Sequence, residues 1–118
     1  MTYLDLNKVH NGDLYLPWNG REWRVEEPAA TESQRLRPLV WSDAYTGDVE
    51  LLEIEKLLGD TWRDLIAAGI TWPKLLHFGR TAMIWATSTP EAAEAFWKMH
   101  EFAQLVVDLK AAEESSDA

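Results

Sequence analysis

Histidine and carboxylate side chains have the greatest chemical potential in this chain, but neither kind has the spacing that a reaction needs. The histidines His10, His77 and His100 lie far apart and form no metal-ligand pair such as His-x-x-x-His. We interpret His77, within an apolar helical segment, as a structural residue. Asp60 and Asp64 are one helical turn apart, but paired carboxylates perform acid–base chemistry only where their pKa values are pushed apart. We interpret them as part of a solvated helix face.

Other motifs of catalysis and cofactor binding are missing from the sequence. It contains no cysteine, no Gly-x-x-x-x-Gly-Lys phosphate loop and no Gly-x-Ser-x-Gly nucleophile elbow. The serines fall in predicted helix caps, connections or the tail: Ser33, Ser42, Ser88, Ser115 and Ser116. The sequence therefore predicts a protein that is not an enzyme and that has no catalytic, cofactor-binding or metal-binding residue.

Tryptophan is unusually frequent, with seven residues in a chain of 118. An indole ring buries a large area and has few rotamers to freeze, so tryptophan is enriched at protein interfaces. We expect most of these rings to pack inside and at least one or two to lie on a contact surface. The predicted partner-binding residues are Trp18, Trp23, Trp72, Arg80 and Trp85.

Arg80 is included because it follows a small residue in the middle of a helix, within the segment His77–Ala82. Gly79 makes a dent there beside the charged guanidinium. One interpretation is close packing of two helices of this chain, with Arg80 paired to a carboxylate. The other is a notch in which a helix of a partner docks.

The elements that position these residues begin with a β-hairpin at Leu14–Val25, after a short lead-in at Tyr3–Val9 and a turn. Asn19-Gly20 tolerates the positive φ angles of a two-residue type I′ turn. Pairing outward from that turn predicts one inner face, made of Leu14, Leu16, Trp18, Arg21, Trp23 and Val25. Trp18 opposite Arg21 predicts stacking of the guanidinium on the ring.

Helices are predicted for the chain after Pro28. A capping box at Thr31–Gln34 begins a short helix, which Pro38 should break near Arg37. A longer helix, capped by Asp48, runs from about Val49 to Ala68, where its apolar side chains recur every three or four residues.

Two further helices begin at threonines that lie close before a proline. Thr71 caps a helix that includes Trp72–Trp85 and is apolar nearly all round. Thr89 caps the last helix, which carries the i,i+4 ion pair Glu94–Lys98. Gly69 is predicted to end the helix that precedes these two.

The predicted fold class is mainly α, with an N-terminal β-hairpin packed on a small bundle of three to four helices. Residues 1–110 are predicted to form this single domain. Residues 111–118 have no apolar anchor and are predicted to form a flexible acidic tail.

The charge balance is acidic, with 20 Asp and Glu against 11 Lys and Arg and a net charge of −9. Neutralising phosphates needs a basic patch, so we expect no nucleic-acid partner. No apolar run approaches the roughly 18 residues of a membrane span, and the first residues lack a signal-peptide pattern. We therefore expect a soluble protein with no membrane partner, and the absence of cysteine favours the cytoplasm.

Four segments together resemble the short tail assembly chaperones of long-tailed (siphovirus-type) actinobacterial phages. They are Leu4-Asp5-Leu6, Trp23-Arg24-Val25 at the end of the hairpin, Pro28-Ala29-Ala30, and His77-x-Gly79-Arg80-Thr81-Ala82. The resemblance covers about residues 4–100, and Gly79-Arg80-Thr81 is its most distinctive part.

The resemblance implies a chaperone that coats the apolar, helical tape-measure protein and helps to recruit tail-tube protein. Such a protein acts in the cytoplasm of the infected bacterial host and is lost before the virion matures. Many of these chaperones also exist in a frameshifted form with a C-terminal extension. We also expect a homo-oligomer.

Two other functions stay open at this point. One is a small phage head–tail connector or adaptor, a structural protein that remains in the particle. The other is an acidic inhibitor of a host protein, which would be a monomer that binds one basic partner tightly.

Overall fold

The computed structural model describes the backbone of residues 2–10 and 12–116, and the side chains of those residues except 100–108 and 114–116. The described chain is mainly helical with a β-hairpin near its start, which confirms the predicted fold class. Its elements are α1 (Leu6–Val9), β1 (Leu14–Trp18), β2 (Arg21–Val25), α2 (Ala30–Leu39), α3 (Gly47–Leu58), α4 (Asp60–Ala67), α5 (Trp72–Thr87) and α6 (Pro90–Ser116).

The hairpin has the register that the turn predicts, with Trp18 opposite Arg21 and Leu16 opposite Trp23. The φ angles of Asn19 and Gly20 are 54° and 82°, both in the left-handed region of a type I′ turn. An isolated hairpin is marginal in water. Its inner face accordingly packs on α4 and α5, and the buried residues there are Leu16, Trp23 and Val25.

Arg21 stacks on Trp23, so the predicted stacking on Trp18 is wrong. The guanidinium carbon of Arg21 lies 3.7 Å from the centroid of the Trp23 ring. These residues are two apart on one strand, so their side chains leave the same face of the sheet. Trp18 instead lies tilted against Trp23, with 5.7 Å between ring centroids, and its carbonyl oxygen accepts the indole N–H of Trp23.

α2 begins at Ala30 with Ala29 as its N-cap residue and no side-chain cap. The predicted capping box at Thr31–Gln34 is therefore wrong, because the chain is already helical there. The helix also passes Pro38 and ends at Leu39, not near Arg37. Pro38 has no N–H to donate to the carbonyl four residues earlier, but the helix ends one residue later, so any kink there disturbs only the last turn.

The predicted helix from Val49 to Ala68 is in fact two helices. α3 and α4 meet at Gly59, whose φ of 58° and ψ of −130° suit glycine because it has no Cβ. The change of direction brings α4 against β2, where the Thr61 hydroxyl donates a hydrogen bond to the Arg24 carbonyl oxygen. The apolar periodicity continues across the break and conceals it.

The cap of α3 also differs from the prediction. Thr46 is the N-cap residue, and its hydroxyl oxygen accepts the backbone N–H of Val49, whereas Asp48 lies inside the first turn. A carboxylate in the first turn still interacts favourably with the helix dipole.

The predicted ends of the later helices are confirmed. Gly69, with φ 86°, follows α4, and Thr71 is the N-cap residue of α5, although its side chain makes no cap hydrogen bond. The Thr89 hydroxyl accepts the N–H of Ala92 at the start of α6. Lys98 pairs with Glu94 at 2.8 Å, as the i,i+4 spacing predicts.

α6 continues to Ser116, so residues 111–116 are helical where the sequence predicts a frayed tail. Alanine and glutamate are strong helix formers and can extend a helix without apolar anchors. Residues 117 and 118, Asn11 in the predicted turn, and the side chains of His100, Leu105 and Val106 lie outside the described residues. The domain boundary at 110 stays a prediction.

α5 is the central helix, and α2, α3, α6 and β1 all pack on it. It is most tightly packed at Gly79, where an added Cβ would clash with Cγ2 of Ile54 and lie 3.2 Å from its Cδ1. Ile54 belongs to α3 and is fully buried. The dent at Gly79 is therefore filled by a helix of the same chain, and the docking notch for a partner is wrong.

Replacing Gly79 by alanine tests this contact. We expect Gly79→Ala to lower the free energy of unfolding, because overpacking costs about 1–3 kcal/mol and exceeds the roughly 1 kcal/mol gain in helix propensity. Urea denaturation measures the change. Gly47→Ala is the matched control, since no atom lies within 4 Å of its added Cβ.

The same substitution in an Ile54→Ala background should cost little, because the colliding side chain is gone. An equal loss of stability in both backgrounds would show that Gly79 is not the point of close approach.

Candidate partner-binding surface

Of the five predicted partner-binding residues, Trp18 and Trp23 lie side by side, and Trp72, Arg80 and Trp85 lie elsewhere, on α5. Trp23 is only 4% exposed and belongs to the core beneath the hairpin, so it offers little surface to a partner. Trp18 is half-buried beside it. Trp72 is 52% exposed in the first turn of α5, where its ring meets the edge of Trp62. Trp85 is half-buried at another face of α5.

Arg80 joins α5 to α3. Its guanidinium Nη2 lies 2.8 Å from Oε1 of Glu50, and its Nε lies 3.3 Å from each carboxylate oxygen. The hydrogen bonds to Glu50 raise the pKa of Arg80. The side chain is thus committed to a carboxylate of its own chain, as the packing interpretation of this segment predicts.

Trp41 is the most exposed tryptophan among the described residues, at 89%, and the sequence reasoning did not single it out. It follows α2 and opens the polar connection to α3, where an indole buried in a core is not expected. Its position in a polar stretch just after Pro38 is the sequence feature that could have predicted its exposure. The side chain stands beside a groove on the surface of α5 and α6.

This groove, which we name the Trp41 groove, has a volume of about 760 Å³. α5 and α6 form its apolar lining, and the end of α2 forms one wall. Met99 is 62% exposed, while Met83 is nearly buried at the base. The groove is defined by its apolar residues Val40, Trp41, Met83, Ile84, Phe96 and Met99.

One rim of the Trp41 groove is polar. It carries the ion pair of Arg80 with Glu50 and the side chain of Tyr45. Burial raises the pKa of Tyr45 to about 12, and the negative charges of Glu50 and Glu53 add to this effect. The phenol therefore stays protonated at neutral pH. An apolar base with one polar rim suits the side of an amphipathic helix.

A second concave surface, the hairpin groove, runs between β1, α5 and α6 and encloses about 990 Å³. Trp85 contributes to it, with Tyr15 of the hairpin on the opposite side. It is larger than the Trp41 groove, and its lining includes the charged side chains of Asp13, Glu27, Glu94 and Lys98. The two grooves lie on different faces of α5, so they can engage different partners.

The remaining polar candidates have structural surroundings. His77 Nε2–H donates to the Trp97 carbonyl oxygen at 3.2 Å, and its ring stacks on Phe96 with 4.9 Å between centroids. Asp60 and Asp64 are exposed on α4, as predicted for a solvated face. Within the described part of the chain, no group of three or more His, Asp or Glu could hold a metal ion.

No helix in the ranges 2–10 and 12–116 is both long and apolar enough to cross a membrane.

Fold and surface together define a hairpin-on-helix domain with two open, largely apolar grooves. A family model with the description Domain of unknown function (DUF7426) matches residues 4–118. Since this match spans nearly all of the sequence, the chain belongs to that family. Comparisons with curated proteins and with solved structures found no match.

The exposure of Trp41 against the burial of Trp23 leads to a direct prediction. Trp41→Ala should change the free energy of unfolding by no more than about 0.5 kcal/mol, because the ring packs on little. Trp23→Ala should cost about 3–5 kcal/mol, because it empties a core site. Chemical denaturation of the two variants measures both changes. Similar losses in the free energy of unfolding would contradict the surface position of Trp41.

Proposed function

We propose that this chain is a non-enzymatic assembly chaperone that covers apolar helical segments of a partner protein. The observation that carries the proposal is the Trp41 groove, which is lined by a tryptophan that is 89% exposed and by the exposed side chain of Met99. Contiguous apolar surface on a small domain is a feature of protein interaction sites. Tryptophan in such a surface is a frequent source of binding energy.

The composition of the groove supports a partner that presents varied apolar helices. Methionine has a flexible, polarisable side chain that adapts to different shapes, and two methionines line this groove. A helix laid in it would place apolar anchors at i, i+3 or i+4, and i+7. Surfaces of this kind accept many sequences because they can repack around each one.

The charge of the chain supports the same role. A net charge of −9 repels neighbouring complexes, so that a coated apolar segment stays in solution. The polar rim formed by Tyr45 and the Glu50–Arg80 pair can also meet the hydrophilic side of a bound helix. The acidic balance does not favour nucleic acid as a partner.

Together with the resemblance noted from the sequence, these features lead us to assign the partner. We propose that the chain is a tail assembly chaperone of a long-tailed phage that binds the tape-measure protein and aids the addition of tail-tube protein. It would act in the cytoplasm of the infected bacterial host and be absent from the mature virion.

Co-expression with the tape-measure protein of the same phage tests this proposal. We expect Trp41→Ser/Met99→Ser to weaken binding about tenfold or more, because it removes two apolar anchors. The readout is the soluble fraction of tape-measure protein that co-purifies. Leu52→Ser/Ile66→Ser is the matched control, since these side chains are 58% and 51% exposed and lie outside the groove.

Unchanged tape-measure solubility with the groove variant would overturn the assignment of the Trp41 groove. Single variants of Trp18, Trp72 and Trp85 then show whether the other predicted contacts carry binding. Mass spectrometry of purified virions provides a second check. Stoichiometric amounts of the chain in the particle would favour a head–tail connector.

A further inference from the structure

Among the described contacts, the chain before the hairpin meets the body only near its junction with β1, where His10 Nε2 lies 3.7 Å from Oε2 of Glu27. Residues 2–10, which we name the N-terminal arm, are all exposed, and α1 within it buries no residue. Four large apolar side chains project from this short segment. Their exposed fractions are 87% for Tyr3, 69% for Leu4, 72% for Leu6 and 61% for Val9.

The arm nevertheless contains local structure. The Asp5 carboxylate accepts the backbone N–H of Asn7 at 2.8 Å and so caps α1. A helix of four residues is not stable by itself in water, because nucleation is costly and few hydrogen bonds follow. A capped helical turn with apolar side chains is therefore best stabilised by a surface on which it can dock.

The arm joins the body at the edge of the hairpin groove. Asp13 fixes this junction, since its carboxylate accepts the N–H of Glu27 and the Nε–H of Arg24. Gly12 passes so close to the Glu27 carboxylate that an added Cβ would clash with it. Both His10 and Gly12 belong to the lining of the groove.

The last residues of the arm already lie at the hairpin groove of their own chain, since His10 lines that groove and its Nε2 lies 3.7 Å from Oε2 of Glu27. An arm that continues away from this point can reach the equivalent groove of a neighbouring molecule. Its nine residues span at most about 30 Å when extended.

We propose that the N-terminal arm docks in the hairpin groove of a second copy of this chain, and that two copies exchange arms in a symmetric dimer. Tyr3, Leu4, Leu6 and Val9 supply the apolar contacts. Trp85 and Ala86 of the other copy form the receiving surface.

Charge complementarity favours the arm as the occupant. The chain has a net charge of −9, so two copies repel each other over most of their surfaces. In the arm, the charges of Asp5 and Lys8 cancel, so this segment carries none of the excess negative charge of the chain. The lining of the hairpin groove has three carboxylates, those of Asp13, Glu27 and Glu94, against the one ammonium of Lys98, so its negative charge attracts Lys8.

Reciprocal exchange also doubles the contact area. One arm of nine residues makes a small interface, but a symmetric dimer buries two arms and two grooves. Doubling the contact brings it towards the roughly 1,200–2,000 Å² of total surface buried at stable interfaces. A two-fold arrangement uses the same patch on both copies and closes on itself.

Light scattering after size-exclusion chromatography tests the dimer. We expect the chain to have about twice its monomer mass of 13.5 kDa, and Leu4→Glu/Leu6→Glu to have the monomer mass with an unchanged far-UV circular dichroism spectrum. Leu52→Glu/Ile66→Glu should remain dimeric. A monomeric wild-type chain at all concentrations, or an arm variant that remains dimeric, would overturn the proposal.

Disulfide trapping distinguishes exchange from docking within one chain. Because the chain has no cysteine, Leu6→Cys and Ala86→Cys can be placed in separate chains and mixed under mild oxidation. We expect a covalent heterodimer, which Leu6→Cys mixed with Leu52→Cys should not form. If a chain carrying both Leu6→Cys and Ala86→Cys forms only an internal disulfide, the arm docks on its own body and the proposal fails.

Discussion

The close approach of α3 to α5 at Gly79 is the contact from which the rest of the arrangement follows. Ile54 of α3 occupies the space where any larger residue on α5 would have a side chain. One residue further along α5, Arg80 pairs with Glu50 and fixes the same two helices in their polar layer. The steric constraint at Gly79 and the adjacent ion pair together restrict how α3 and α5 can pack.

A second ion pair extends this arrangement to α2. Glu53 of α3 is only 7% exposed, and Arg35 of α2 approaches its carboxylate at 2.5 Å, with Lys56 nearby. A carboxylate this buried would be costly without such partners. Because α2 is held against α3 and α5 and ends at Leu39, Trp41 lies where it lines the same groove as residues of α6. The exposed indole is thus a consequence of how the core is built.

Much of the fold could be predicted from local signals. Asn19-Gly20 specifies a turn whose geometry sets the register of every pair in the hairpin, so burial on the inner face follows. The break at Gly59 was missed because Leu58 and Trp62 continue the helical apolar spacing on either side of it. Only contact with β2 shows why the chain turns there, and that contact is not local.

The candidate surface was less predictable. Sequence reasoning identified tryptophan as the informative residue type, but exposure depends on which neighbours cover each ring. Trp23 is covered because the hairpin packs on helices distant in sequence, and Trp41 is uncovered because α2 ends where it does. The sequence indicates a contact point at Gly79 and Arg80. It does not identify their partners Ile54 and Glu50, because these lie on α3, well before them in the chain.

In the proposed function, this chain covers apolar helices of its partner with the Trp41 groove. The most direct measurement is fluorine NMR of the chain labelled with 5-fluorotryptophan, titrated with an apolar helical peptide from the tape-measure protein. Each resonance is assigned by a Trp→Phe variant. Our account predicts that the Trp41 resonance shifts on binding, while that of buried Trp23 stays in place. A titration in which the peptide binds and the Trp41 resonance does not move would contradict it.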